Sequence, residues 1–287
     1  MYIELMEKTF AWGTNTTKIK LKLAALAIPF LFVASCSDSN DVQESKITWD
    51  ATNYTFYNEF MQCTAGVNYS QKAIDDMIDS WRGLGLSESL LGAWGYVSVS
   101  PNESSFNNYW ELSWSSKEEA DLAWQEWATS EDAIAWTDQT SSVLQCDGDN
   151  RDGYEFIFPY DPYAFGDSPE DGSFGASFSP CTLNEGMGQE DLNNAIISYN
   201  AWLDGIDQSE VKGFYAYGVY IPEDKTADED FWFGNFHENL ETMSEGNELW
   251  EATGGDAKAE LESVSTCGEP EISNGQIFLD PAKPEFS

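Results

Sequence analysis

Histidine is almost missing from this chain: there is one, His237, in 287 residues. Basic residues are scarce as well. Thirteen Lys and Arg face 51 Asp and Glu, a formal charge of −38 at pH 7. Nucleic acid and anionic lipid headgroups are therefore disfavoured partners, because approach to phosphate is repulsive over most of such a surface. A zinc or iron–sulfur centre would need thiolates or imidazoles; one histidine and five cysteines with other destinations leave no metal site and imply no cofactor. No G-x-S-x-G elbow, Gly-rich phosphate loop or H-E-x-x-H helix occurs. No apolar run approaches the roughly 20 residues that cross a bilayer. Aromatics, in contrast, make up 15% of the chain, too many for a disordered acidic tail. A folded, acidic domain suited to salty water is expected.

The N-terminus has the layout of a secretory signal. Lys18, Lys20 and Lys22 form a basic region, and Leu23 to Val33 a short apolar run interrupted by Pro29. The run ends in Val33-Ala34-Ser35-Cys36, which resembles a bacterial lipobox: a branched apolar residue, two small ones, then the cysteine that is acylated. This reading makes residues 1–35 a lipoprotein signal peptide and Cys36 the lipidation site, palmitate being one of the chains expected there. Several acyl chains on one cysteine, each contributing about 0.8 kcal/mol per buried methylene, make a lasting anchor. Ser37 follows where an aspartate would signal inner-membrane retention, so the expected location is the bacterial envelope, at the outer membrane. Residues 36–50 are polar and acidic and read as a flexible tether.

Past the tether the chain repeats itself. Phe60-Met61-Gln62-Cys63-Thr64 returns as Phe178-Ser179-Pro180-Cys181-Thr182, and at the same offset Ile74, Met77, Ile78 and Trp81 fall on Leu192, Ala195, Ile196 and Tyr199. Gly95-Tyr96-Val97 aligns locally with Gly218-Val219-Tyr220, Tyr109-Trp110-Glu111 with Phe231-Trp232-Phe233, Cys146 with Cys267, and Gly153 to Phe156 with Gly275 to Phe278. Two copies are expected, 51–160 and 173–287, joined by an acidic, Pro- and Gly-containing linker over 161–172. Each copy reads strand, helix, strand, strand, helix, strand. Phe56 to Gln62 alternates with period two, while Ile74, Met77, Ile78 and Trp81 form one helical stripe behind a capping Ser70. Trp94 to Ser100 and Tyr109 to Trp114 are strands. Ser115 to Glu119 offers two overlapping capping boxes for a helical pattern running on towards Leu144, and Tyr154, Phe156 and Phe158 mark a final strand. The fold class is α+β: two tandem ferredoxin-like βαββαβ repeats.

That topology bears on the four remaining cysteines, which allow three pairings. In a ferredoxin-like sheet the first and last strands are antiparallel neighbours. Cys63 should then meet Cys146, and Cys181 should meet Cys267. In an oxidising compartment both pairs should form disulfides, each closing a loop of about 85 residues and contributing about 4 kcal/mol in the chain-entropy model.

Two such units in one chain, each with an aromatic-rich sheet, resemble the dimeric α+β barrel superfamily. The pattern Tyr109-Trp110-Glu111-Leu112 followed by Ser115 to Trp127 is similar to antibiotic-biosynthesis-monooxygenase-like and NIPSNAP-like members. The resemblance covers roughly residues 54–280 and implies an intrachain dimeric α+β barrel. Relatives place ligands between sheet and helices or between the two sheets, and their cofactor-independent oxygenases enclose an oxidisable substrate beside Asn, Tyr or Trp. Relatives that handle haem use a helical histidine; His237 stands at a strand-to-helix junction, so a surface or hydrogen-bonded role is expected for it.

Candidate pocket residues are therefore the aromatics read as interior: Tyr96, Trp110 and Trp114 in the first copy, Tyr217, Trp232 and Phe236 in the second. Asn107, Asn108 and Asn235 are the available amides, none of them placed well enough to be called catalytic. Asp147 to Gly153 looks like a calcium loop, but Arg151 occupies a ligand position and no glutamate follows at the required distance, so a polar turn is expected. The function expected from these features is an exported, lipid-anchored protein whose barrel binds a small apolar or aromatic ligand or a protein partner. A cofactor-independent monooxygenase-like enzyme is the alternative.

Overall fold

A computed structural model describes residues 54–99, 108–207 and 211–280. The signal, Cys36, the tether and Asn107 lie outside them. The first copy runs β1 (Tyr54–Ala65), α1 (Gln71–Arg82), β2 (Leu90–Ser98), β3 (Asn108–Trp114), α2 (Lys117–Thr129), α3 (Glu131–Thr140), β4 (Leu144–Cys146) and β5 (Asp152–Phe158). The second repeats the order as β6 (Ser173–Leu183), α4 (Gln189–Gly205), β7 (Tyr215–Pro222), β8 (Phe231–His237), α5 (Leu240–Thr253), α6 (Gly255–Val264), β9 (Ser265–Cys267) and β10 (Glu271–Leu279).

The local chemistry explains the boundaries. Ser70 Oγ accepts from the Ala73 amide and starts α1. Of the two serines available before α2, Ser116 is the cap, accepting from the Glu119 amide at 3.3 Å. The long helical pattern beyond it divides at Ser130, whose extended backbone ends α2 and whose hydroxyl caps α3 through the Ala133 amide. A serine favours a cap over a helix interior because its hydroxyl competes for backbone groups.

In the first copy the strands lie in the order β2-β3-β1-β5, and in the second in the order β7-β8-β6-β10. The last strand of each copy pairs with the second strand of the other: β5 with β7, and β10 with β2. Every pairing is antiparallel, and together the eight strands close into a ring. This is a dimeric α+β barrel built within one chain. Closure removes the free edges that either half-sheet would present. Short β4 and β9 extend the flanks of β1 and β6, and there Cys63 faces Cys146 and Cys181 faces Cys267. Both pairs are disulfides, with Cα separations of 4.0 Å.

Alternation along each strand separates two environments. One face meets the helices. There Met77, Ile78 and Trp81 of α1 pack on Trp110, Leu112 and Trp114 of β3 in the first copy, and Leu192, Ala195 and Ile196 of α4 pack on Val219 and Ile221 in the second. The opposite face points into the barrel, which is filled by Phe56, Phe60, Tyr96, Phe156, Phe174 and Tyr220 with their neighbours.

The strand pairings correct the sequence alignment of the copies. Because Phe60 lies opposite Glu111 and Phe178 opposite Gly234, Glu111 corresponds to Gly234 and Trp110 to Phe233, one residue off the match of Trp110 with Trp232. Likewise Tyr96 corresponds to Tyr220, since they lie opposite Tyr109 and Trp232, and Phe156 corresponds to Gly275, not to Phe278. Aromatic identity outweighed register in the sequence comparison. In a strand, a one-residue slip exchanges the two faces.

Candidate ligand site

That slip redistributes the candidate residues. Tyr96, Trp232 and Phe236 belong to the barrel interior. Trp110 and Trp114 face the helices of the first copy. Tyr217 lies between the sheet and α4, stacked on Phe233 with ring centroids 5.2 Å apart. The six do not converge on one pocket.

Inside the barrel, one end is packed and the other is hollow. At the packed end Phe60 meets Tyr154, Phe178 and Tyr220 edge-on, with centroids 5.6–5.8 Å apart, a geometry aromatic quadrupoles favour. Trp232 belongs to this interior cluster and does not line the hollow. The hollow is a cavity of about 450 Å³, whose walls include Phe56, Trp94, Tyr96, Phe156, Phe174 and Phe236. Residues 159–163 of the segment joining the copies stand at its mouth, together with Ser168 and Asp280. That segment is held from the second copy: Asn200 Nδ2 donates to the Pro159 carbonyl at 2.9 Å, and Tyr160 OH to Asp204 at 2.7 Å.

The polar part of this cavity is small and specific. Glu111, at the centre of β3, is 1% exposed. Its Oε1 accepts from Asn58 Nδ2 at 2.6 Å and from Tyr220 OH at 3.0 Å, and its Oε2 from Tyr96 OH at 2.5 Å. Ser113 Oγ donates to Asn58 Oδ1 at 2.8 Å and so fixes which way the amide points. Burial pushes the Glu111 carboxyl up to about 7, while the three donated hydrogen bonds pull the other way. Burial, reinforced by the charge of Glu111, holds the Tyr96 and Tyr220 hydroxyls well above their ordinary value, so both remain donors. The carboxyl thus sits where it can exchange a proton near neutral pH.

The two copies contribute unequally. Where the first has Asn58, Glu111 and Ser113, the second has Ala176, Gly234 and Phe236. A Cβ at Gly234 would stand 2.9 Å from the Tyr220 ring, and one at Gly218, the counterpart of Trp94, only 2.2 Å from that of Phe156. Glycine leaves the space those rings occupy, and the second copy adds Tyr220 OH to the hydrogen bonds on Glu111. Sequence reasoning missed Glu111 because acidic residues are everywhere in this chain. The available signal was positional: Tyr109, Glu111 and Ser113 share one face of a strand whose other face is Trp110, Leu112 and Trp114, so neither face is a solvent face.

Two more cavities lie between sheet and helices. That of the first copy, about 780 Å³, is lined by Trp110 and Trp114 among others, and Trp110 Nε1 is buried without a hydrogen-bond partner. That of the second, about 420 Å³, includes His237 and Asn235. His237 is not at the surface. It is 7% exposed, packs on Tyr215 at 4.8 Å between centroids, and is pushed down to about 4 by burial, hence neutral at pH 7. Asn235 accepts from Tyr215 OH, and Asn108 from Tyr69 OH. In the loop Asp147 to Gly153, Asp147 accepts from the Asp149 and Asn150 amides, and Arg151 pairs with Glu59 at 3.0 Å over the Trp124 ring. This is a turn chemistry, with its cation already engaged.

No family model matches the chain, and no curated protein does. Among solved structures it is similar to a chlorite dismutase-like protein (14% identity, TM-score 0.48, covering 80% of this chain and 97% of the other). It is also similar to a variant of chlorite dismutase from Candidatus Nitrospira defluvii (10%, 0.45, 78% and 92%) and to a monooxygenase-like protein from Lactobacillus acidophilus (9%, 0.41, 78% and 94%). At such values they carry no argument about chemistry; the barrel rests on its own strand order.

Proposed function

We propose that this protein binds a small, largely apolar molecule inside the barrel, oriented by the cluster of Glu111, Asn58, Tyr96 and Tyr220. The observation that carries the reading is the buried carboxyl at the wall of an aromatic cavity of about 450 Å³, within the usual range for ligand sites. Such sites combine apolar walls with a few convergent polar groups, and a carboxyl buried among neutral partners is costly to ionise. The test is equilibrium binding of small naphthalene derivatives, followed by Trp fluorescence. One saturable site is expected, weakened at least about tenfold in Ala216→Phe, which puts a phenyl ring into the cavity. Absence of binding, or equal binding by that variant with its melting temperature retained, would remove the barrel as the site.

A second reading is favoured by the place of Glu111, a carboxyl at the cavity wall that burial pushes up to about 7: the cavity is an active site in which that group moves a proton on an enclosed substrate, as a cofactor-independent monooxygenase-like enzyme would require. Oxygen uptake or proton exchange in the wild type, lost in Glu111→Gln, supports it.

We further propose that the barrel is presented at the cell envelope by lipid on Cys36. The lipobox-like Val33-Ala34-Ser35-Cys36 and the short apolar run before it support this. Cys36→Ala should release the protein from membranes and abolish incorporation of a radioactive fatty acid. Equal labelling of the variant would place the lipid elsewhere.

A further inference from the structure

We propose that the ligand of the barrel is an organic cation, an amine or quaternary ammonium on an apolar body. The inference rests on the reading that the barrel is a ligand site and names the class of molecule it takes.

Three observations converge. First, Glu111 is a buried acid with only neutral partners: Asn58, Tyr96 and Tyr220 satisfy three of the roughly four acceptor positions of a carboxylate, and among the described residues no Lys, Arg or His lines the cavity. The other buried acid of the first copy, Glu59, is treated differently, since Arg151 pairs with it. Second, the walls are aromatic on several sides: Trp94 from β2, Phe156 from β5, Phe174 from β6 and Phe236 from β8 surround the same space. Ring faces carry negative potential and attract a desolvated cation. Third, Asp161 also lines the cavity, on a chain of net charge −38, so the surrounding field draws in cations and turns anions away. A neutral apolar ligand would use the walls and leave the carboxyl without a counter-charge. A cation uses both.

Ionised Glu111 binds a cation better than protonated Glu111 does, so affinity should rise with pH up to the carboxyl's own titration and level off above it. The other titratable groups lining the cavity are Tyr96 from β2, Tyr220 from β7, and Tyr160, Asp161, Tyr163 and Asp280. The tyrosines are all raised above their ordinary value and stay protonated throughout.

The experiment uses two soluble molecules of nearly the same shape, 3-hydroxyphenyltrimethylammonium and 3-tert-butylphenol, titrated into the wild-type protein by calorimetry from pH 5.5 to 8.5 in 0.15 M salt. The expected result is one-to-one binding of the cation, about tenfold or more tighter than the neutral molecule at pH 8. That preference should shrink as the pH falls through about 7, and should be lost in Glu111→Gln, whose fold is checked by near-ultraviolet circular dichroism. Ala216→Phe should weaken both molecules, which separates the barrel from surface carboxylates. If the neutral molecule binds the barrel as tightly as the cation at every pH, the ligand site stands and its cation preference is refuted. If neither binds the barrel, both fall.

Discussion

Glu111 and His237 show how burial turns one residue into a pH-dependent term. For Glu111 the folded carboxyl titrates near 7 against an ordinary value of 4.5, so its protonated form is the one the fold prefers. That contribution to stability is complete below about 4.5 and is lost as the pH rises through 7, a change on the order of 3 kcal/mol. His237 runs the other way. It is pushed from 6.5 down to about 4, so its contribution is present above 6.5 and lost as the pH falls through 4. The two slopes oppose each other over nearly the same window. Relative to wild type, Glu111→Gln should gain stability as the pH rises from 4.5 to 7, and His237→Gln should gain as it falls from 6.5 to 4. Urea unfolding across that range reads both; a pH-independent difference for Glu111→Gln would mean the carboxyl is solvated.

At the scale of elements, most of the architecture was legible, because periodicity reports directly on burial. The stripe Ile74, Met77, Ile78, Trp81 and the alternation of Tyr154, Phe156 and Phe158 are local patterns, and both elements stand where those patterns put them. Ser130 was hidden because a cap inside a continuous helical pattern changes no periodicity; only its backbone shows the break. Register was hidden for a different reason. Gly218, Gly234 and Gly275 replace Trp94, Glu111 and Phe156 across the barrel, so the copies keep the shape of the interior by exchanging large side chains for the space those rings fill. A comparison that matches aromatic with aromatic slides past such positions. The cysteines were legible through topology alone, since β4 and β9 bring each pair face to face beside β1 and β6. Non-reducing peptide mapping should find Cys63 linked to Cys146 and Cys181 to Cys267, with no cross-link between copies. Replacing one pair by alanines should cost about 2–5 kcal/mol and leave the other bridge formed. A Cys63–Cys181 or Cys63–Cys267 peptide would contradict the strand order.

On the scale of the whole molecule, duplication supplies a closed barrel and divergence supplies a single polar site within it. Both seams, β5 with β7 and β10 with β2, join one copy to the other, so neither half alone encloses the cavity. The first copy brings Asn58, Glu111, Tyr96 and Ser113; the second brings Tyr220 and the apolar counterparts Ala176, Gly234 and Phe236. A symmetric barrel would place two carboxyls in one small space, where the charge of the first to ionise would hold the other protonated. The chain keeps one. The most direct check is to titrate Glu111 itself, by carboxyl carbon-13 NMR of glutamate-labelled protein with Glu111→Gln to assign the signal. The Glu111 carboxyl should titrate near 7 in the wild type and higher in Tyr220→Phe, where a hydrogen bond donated from the other copy is gone. A carboxyl that titrates near 4.5, or one indifferent to Tyr220, would contradict a polar site enclosed by both halves of the barrel.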